Sequence, residues 1–202
     1  MTPTKLVDDL CSVKSELLHN IEQRKAKTVD KYVWIQTQKL PEAIKDENWQ
    51  SAWSDFYRLN TTRLSKEKKK HFYEIFYDYW VEDRSYEDLI TSLLNVNQRV
   101  ESSFSSKIQH TKNPNSPIID SEVARVLGWD LPGKKSTNAE KIADTVRWIE
   151  RLTAFYETCF TKDGWTEVSQ HFDEVLAVDG FQYTEIKKID ILLWQRNALI
   201  KI

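Results

Sequence analysis

The chain has 202 residues, 40% of them apolar and 30% charged, and carries a formal net charge of −2. That length suits one domain or two closely packed lobes, and a chain of this size buries about 70% of its unfolded surface without needing staples. The slightly acidic balance argues against a generic nucleic-acid coat, whose affinity comes mainly from cationic contacts to phosphate, and leaves a local basic face open for such a role.

With only four Gly and five Pro, tight turns are few, which argues against an all-β architecture. Eight Trp, eight Tyr and eight Phe make the chain rich in aromatics. Cys11 and Cys159 have no CxxC spacing and are expected to be reduced thiols. No apolar run approaches the ~18 residues of a membrane span. The start MTPTKLVDDL has acidic residues and no apolar core, so it does not read as a signal peptide, and the cytoplasm is the expected location.

In chain order, Leu6, Leu10, Val13, Leu17, Leu18 and Ile21 recur at three- and four-residue steps and predict an amphipathic helix. Tyr32-Val33-Trp34-Ile35 is short and β-rich, and periodicity leaves its state open. Pro41 suits a helix start, ahead of a stripe through Ala43, Ile44, Trp49, Trp53, Phe56 and Tyr57. Residues 66–80 predict an aromatic helix whose lysine-rich beginning reads as solvated rather than as a nucleic-acid contact. Ser85 with Asp88, and Thr137 with Glu140, are capping signals ahead of apolar helical runs. Gly164 and Gly180 punctuate two further helices, and Ile186, Ile189, Leu192, Leu193 and Trp194 form a docked apolar face. The longest polar stretch with turn residues is 110–117. The expected fold is all-α, a compact bundle of about eight to ten short helices. The expected organisation is one helical domain over 1–202, or two packed lobes meeting near 110–117.

The sequence has no P-loop, no GxGxxG and no GxSxG. His19, His71, His110 and His171 show no ligand spacing, so no metal site is expected. The segment 102–128, SSFSSKIQHTKNPNSPIIDSEVARVLG, stands apart: a helix, a polar turn, a carboxylate, then a short helix closed by glycine. By itself Asp120 reads as the N-cap of that second helix and Gly128 as its stop.

The stretch Pro117-Ile118-Ile119-Asp120-Ser121-Glu122-Val123-Ala124-Arg125-Val126-Leu127-Gly128 also resembles the P-x-x-D-[ST]-x-V-x-R-[VIL]-L-G stretch of the helix–hairpin–helix DNA glycosylases, including their 8-oxoguanine glycosylase-like branch. The resemblance implies that Asp120 is a catalytic carboxylate stabilising positive charge on the sugar as the base leaves. It also implies that Lys107 takes the place of an amine nucleophile, or contacts DNA. The family's hairpin glycines have no counterpart within 96–106, and the Leu131-Pro132-Gly133 triplet follows the aspartate instead. Arg125, Lys112, Lys134 and Lys135 gather basic charge around the segment and are the expected phosphate contacts. On this reading the partner is DNA, the activity is excision or recognition of a modified base, and no cofactor is involved. The rival expectation is a non-enzymatic helical protein, such as an accessory subunit, that meets a protein partner through its aromatic faces.

Overall fold

The computed structural model describes residues 1–25, 28–61 and 64–200, with side chains described for 1–25, 28–60 and 64–196. The described residues form ten α-helices and no strands: α1 (Pro3–Glu22), α2 (Val29–Thr37), α3 (Glu47–Phe56), α4 (Lys66–Val81), α5 (Tyr86–Asn97), α6 (Ser102–Lys112), α7 (Ser121–Leu127), α8 (Asn138–Phe160), α9 (Trp165–Leu176) and α10 (Glu185–Ile200). Short 3-10 turns cover Glu42–Lys45 and Leu59–Thr61. Among the described residues no helix is long and apolar enough to cross a membrane.

Local chemistry sets many of the boundaries. Both capping boxes close, Ser85 with Asp88 on α5 and Thr137 with Glu140 on α8, each pair satisfying two otherwise orphaned N–H groups. The predicted start at Pro41 is displaced. Pro41 leads only a 3-10 turn, and α3 begins at Glu47 because the extended Asp46 accepts from the Trp49 N–H at 2.9 Å. The open segment around Tyr32 resolves as α2, since Tyr32, Val33 and Ile35 are all buried by tertiary packing. His110 lies inside α6 and is fully buried rather than belonging to a polar loop.

The core divides in two. One cluster joins α1, α7, α8, α9 and α10 with the beginning of α2 and includes Leu10, Leu18, Leu152, Phe172 and Leu192. The other joins α3, α4, α5 and α6, and is dominated by Trp49, Trp53, Phe72 and Phe76. The chain passes between them twice, within α2 between Val33 and Ile35, and again between Ile118 and Ile119. Asp120 therefore follows directly on a crossing, and α10 carries its buried face against α1, α7, α8 and α9.

Candidate functional site

The loop that delivers Asp120 is fixed by buried side chains of α6. The Ile119 N–H donates to Ser106 Oγ at 2.9 Å. The ring of His110 donates from Nδ1 to the Ser116 carbonyl at 2.7 Å, which leaves Nε2 as the acceptor for the Tyr32 hydroxyl at 3.1 Å. Burial holds this imidazole neutral, with its pKa pushed down to about 3. Thr184, just before α10, donates to the Pro114 carbonyl at 2.8 Å and ties the same loop to the last helix.

Asp120 then does two things. Its Oδ1 accepts from the Glu122 N–H at 2.7 Å, capping α7, and its carboxylate lines a cavity between the two core clusters. The cavity encloses about 320 Å³, at the small end of the ~300–1,000 Å³ of ligand pockets. Phe56, Tyr57 and Trp194 give it aromatic walls, and Ile21, Val29, Ile118, Val123 and Ile191 give it apolar ones. Charged groups converge on it from five places: Arg24 after α1, Asp55 and Arg58 at the end of α3, Lys107 on α6, Asp120 before α7, and Lys187 with Asp190 on α10.

No family model matches this chain, and no curated protein or solved structure matches it either. Its chemistry must therefore be read from the cavity itself.

Lys107 is half-buried and donates from Nζ to the Tyr57 carbonyl at 3.3 Å. Burial lowers its pKa, Asp120 opposes that shift, and Arg58 adds to it. Arg58 sits in the left-handed region, φ 60°, a conformation that is uncommon outside glycine and found at constrained sites. It brings its guanidinium to 5.3 Å from the Trp194 ring centroid, over the aromatic wall.

The sequence pattern gives no sign of the groups on α10. Lys187 is 3% exposed and Asp190 5% exposed. Burial is the largest influence on both, pushing the Lys187 ammonium down and the Asp190 carboxyl up from their ordinary values. Tyr156 donates to Asp190 Oδ1 at 2.8 Å and the Ile118 N–H also favours the ionised carboxyl, while the buried Oδ2 has no close hydrogen-bond partner among the described residues. The Lys187 Nζ stands 4.1 Å from the Tyr32 ring centroid and 5.3 Å from that of Phe56. Neighbouring Lys188 has a different role, closing a network with Ser169, Asp173 and Glu185.

Of the six residues singled out in the sequence, Lys107 and Asp120 line the cavity and the other four do not. Arg125 is exposed on α7 and paired with Glu122 at 2.6 Å. Lys112 binds the Tyr79 carbonyl at 3.1 Å and Asp83 at 3.0 Å. Lys134 is paired with Asp130, and Lys135 is exposed on the loop before α8. The aromatic residues are mostly core: Trp49, Trp53, Tyr32, Tyr156, Phe72, Phe76 and Phe172 are fully buried. Trp34 is the aromatic among the large hydrophobics exposed in the described residues.

Proposed function

We propose that the protein is a DNA glycosylase of the helix–hairpin–helix kind, acting on a modified base that is extruded from the duplex. The observation that supports this reading best is the meeting of Lys107 and Asp120 in one aromatic-walled cavity of about 320 Å³. A flipped base needs rings to stack on, and Phe56, Tyr57 and Trp194 supply them. As the bond from C1′ to the base nitrogen breaks, its electron pair leaves with the base and the sugar becomes cationic. A carboxylate held at that point stabilises the developing charge without having to reorganise. Asp120 suits that role because its position is already fixed by the Glu122 N–H. Exposed Arg24 at the cavity and Arg125, Lys134 and Lys135 on the outer surface provide cations for flanking phosphates.

The test is base release from duplex oligonucleotides carrying deaminated, oxidised or alkylated bases. Release from at least one substrate is expected, with Asp120→Asn slower by ~10²-fold or more. If the wild-type protein releases none of them, the proposal fails. Equal rates for wild type and Asp120→Asn would remove Asp120 from the chemistry.

A further inference from the structure

We infer that the cavity between the two core clusters binds a small organic monocarboxylate with an aromatic or branched apolar body, its carboxylate held by Lys187 and Lys107. This goes beyond the base-excision reading and does not rest on it, because the ligand is a free acid and its binding is measured without DNA.

Three cations converge on the cavity from separate elements, in order of increasing burial. Arg58, just after α3, is exposed, Lys107 on α6 is half-buried, and Lys187 on α10 is 3% exposed. Among the described residues no ion pair or hydrogen bond occupies the Lys187 Nζ. What it meets is the rings of Tyr32 and Phe56, at 4.1 and 5.3 Å from their centroids. Lys107 uses one N–H on the Tyr57 carbonyl at 3.3 Å, and an ammonium carries three. Burial, the largest influence, lowers the pKa of both lysines, and the neighbouring cation lowers it further, Arg58 for Lys107 and Lys107 for Lys187. Like charges facing one enclosed space repel more strongly as water is removed, and an anion placed among them relieves that repulsion. A buried ammonium with no acceptor of its own therefore marks the place of an anion brought by a ligand.

The carboxylates of the lining set the charge of that ligand. Arg24, Arg58, Lys107 and Lys187 stand against Asp55, Asp120 and Asp190, an excess of one positive charge. Asp55 is engaged with Lys31 at 3.7 Å and with Asn60 at 2.6 Å. Asp120 and Asp190 each have a donor of their own, the Glu122 N–H at 2.7 Å and the Tyr156 hydroxyl at 2.8 Å. Both favour the Lys187 ammonium, so the cation persists in spite of its burial. Both also repel a second negative charge, which favours a monoanion over a phosphate dianion.

The remaining lining sets the body. Phe56, Tyr57 and Trp194 offer ring faces, and Ile21, Val29, Ile118, Val123 and Ile191 offer aliphatic ones. A volume of about 320 Å³ admits one ring or a branched chain and little more. The carboxylate end accepts charge-assisted hydrogen bonds from the two ammonium groups, which fix its orientation. Arg58, its guanidinium 5.3 Å from the Trp194 ring centroid, stands at the exposed end, where it draws an anion inward. A neutral analogue of the same shape keeps the apolar contacts and gives the buried Lys187 no acceptor, so the site discriminates by charge.

The test is isothermal titration calorimetry of the full chain at pH 7 with phenylacetate, 3-phenylpropanoate and 4-methylpentanoate. Phenylacetamide, phenyl phosphate and L-phenylalanine are titrated beside them. At least one acid is expected to bind at a single site with a Kd of ~1 mM or tighter, reasonable for a ligand of about ten non-hydrogen atoms. It should bind at least ~10-fold more tightly than the amide, the phosphate or the zwitterion. Lys187→Gln and Lys107→Gln should each weaken it by ~10-fold or more, and Lys5→Gln, exposed on α1, should leave it unchanged. Circular dichroism of each variant separates loss of binding from loss of fold. Should Lys187→Gln not fold, Lys107→Gln and the acid-against-amide comparison on the wild-type protein decide the matter. No acid bound, an amide bound equally well, tighter binding of the phosphate or the zwitterion, or unchanged affinity in Lys107→Gln would each overturn the inference. Base release with no acid bound would sink this inference and leave the glycosylase reading standing, whereas acid binding with no base release would do the reverse.

Discussion

The cavity has two walls that carry the same two kinds of group in different surroundings. On the α6–α7 side, Lys107 is half-buried and bonded to the Tyr57 carbonyl, and Asp120 is bonded to the Glu122 N–H. On the α10 side, Lys187 and Asp190 are almost wholly enclosed, and one Asp190 oxygen is left bare. The first pair is held in place by hydrogen bonds, with burial lowering the Lys107 pKa. In the second, burial lowers the pKa of the Lys187 ammonium and raises that of the Asp190 carboxyl, so both charged forms are disfavoured. Identical residue types therefore stand in different surroundings, one pair tied by hydrogen bonds at the cavity wall and the other enclosed on a helix packed against four others.

The largest effect that separates the walls is on stability. Lys187→Met leaves Asp190 buried without the nearby cation that favours its charge, and a larger loss than for Lys107→Met is expected in urea denaturation at pH 7. Lys107→Met removes one hydrogen bond from a half-buried side chain and is expected to lose about 1 kcal/mol. The double variant Lys187→Met, Asp190→Asn removes both charges and should recover part of the larger loss. Equal losses for the two single lysine variants would mean that the walls do not differ in dielectric surroundings.

A pH series sharpens the same contrast by setting Asp190 against His110. His110 has its folded pKa lowered from 6.5 to about 3, so its contribution is complete above pH 6.5 and is lost as pH falls toward 3. Asp190 has its folded pKa raised above 3.8 by burial, so its contribution is complete below pH 3.8 and is lost as pH rises through the folded pKa. Between pH 4.5 and 6.5 the two slopes oppose, each of them about 1.4 kcal/mol per pH unit at most. The wild-type protein should vary little across that window. His110→Gln should lose stability as pH rises through it, and Asp190→Asn should lose stability as pH falls. Parallel curves for all three proteins would show that neither group is desolvated in the folded state.

Much of the fold is legible in the sequence because helices announce themselves locally. The heptad-like apolar spacing of Leu6 to Ile21 and the Ser85 and Thr137 capping boxes are visible without any tertiary information. The state of α2 is not, because four aromatic and β-branched residues fit a strand as well as a buried helix. Lys107 and Asp120 can be read as candidates from chain order and the Pro117–Gly128 pattern, but the cavity they share depends on the crossing between Ile118 and Ile119. Lys187 and Asp190 are hidden for a different reason. Beside Ile186, Ile189 and Leu193 they look like the solvated face of an amphipathic helix, and only the packing of α10 on all sides shows that this helix has little such face.

The smallest expected change in stability isolates the group with the largest expected part in the chemistry. Asp120 is both a cap and a charge, and substitution can divide the two. Asparagine caps a helix about as well as aspartate, so Asp120→Asn should keep the bond to the Glu122 N–H and shift stability by less than about 0.5 kcal/mol. Alanine removes the cap as well and should lose about 1 kcal/mol. If Asp120 acts only as a cap, base release, where it occurs, should follow stability, with asparagine near wild type and alanine reduced. If the carboxylate faces a cationic sugar, asparagine and alanine should fall together by ~10²-fold or more, because the amide supplies no negative charge. The decisive comparison is thus between two variants that differ in stability by about 1 kcal/mol, and equal rates of base release from them would assign Asp120 its charge rather than its cap.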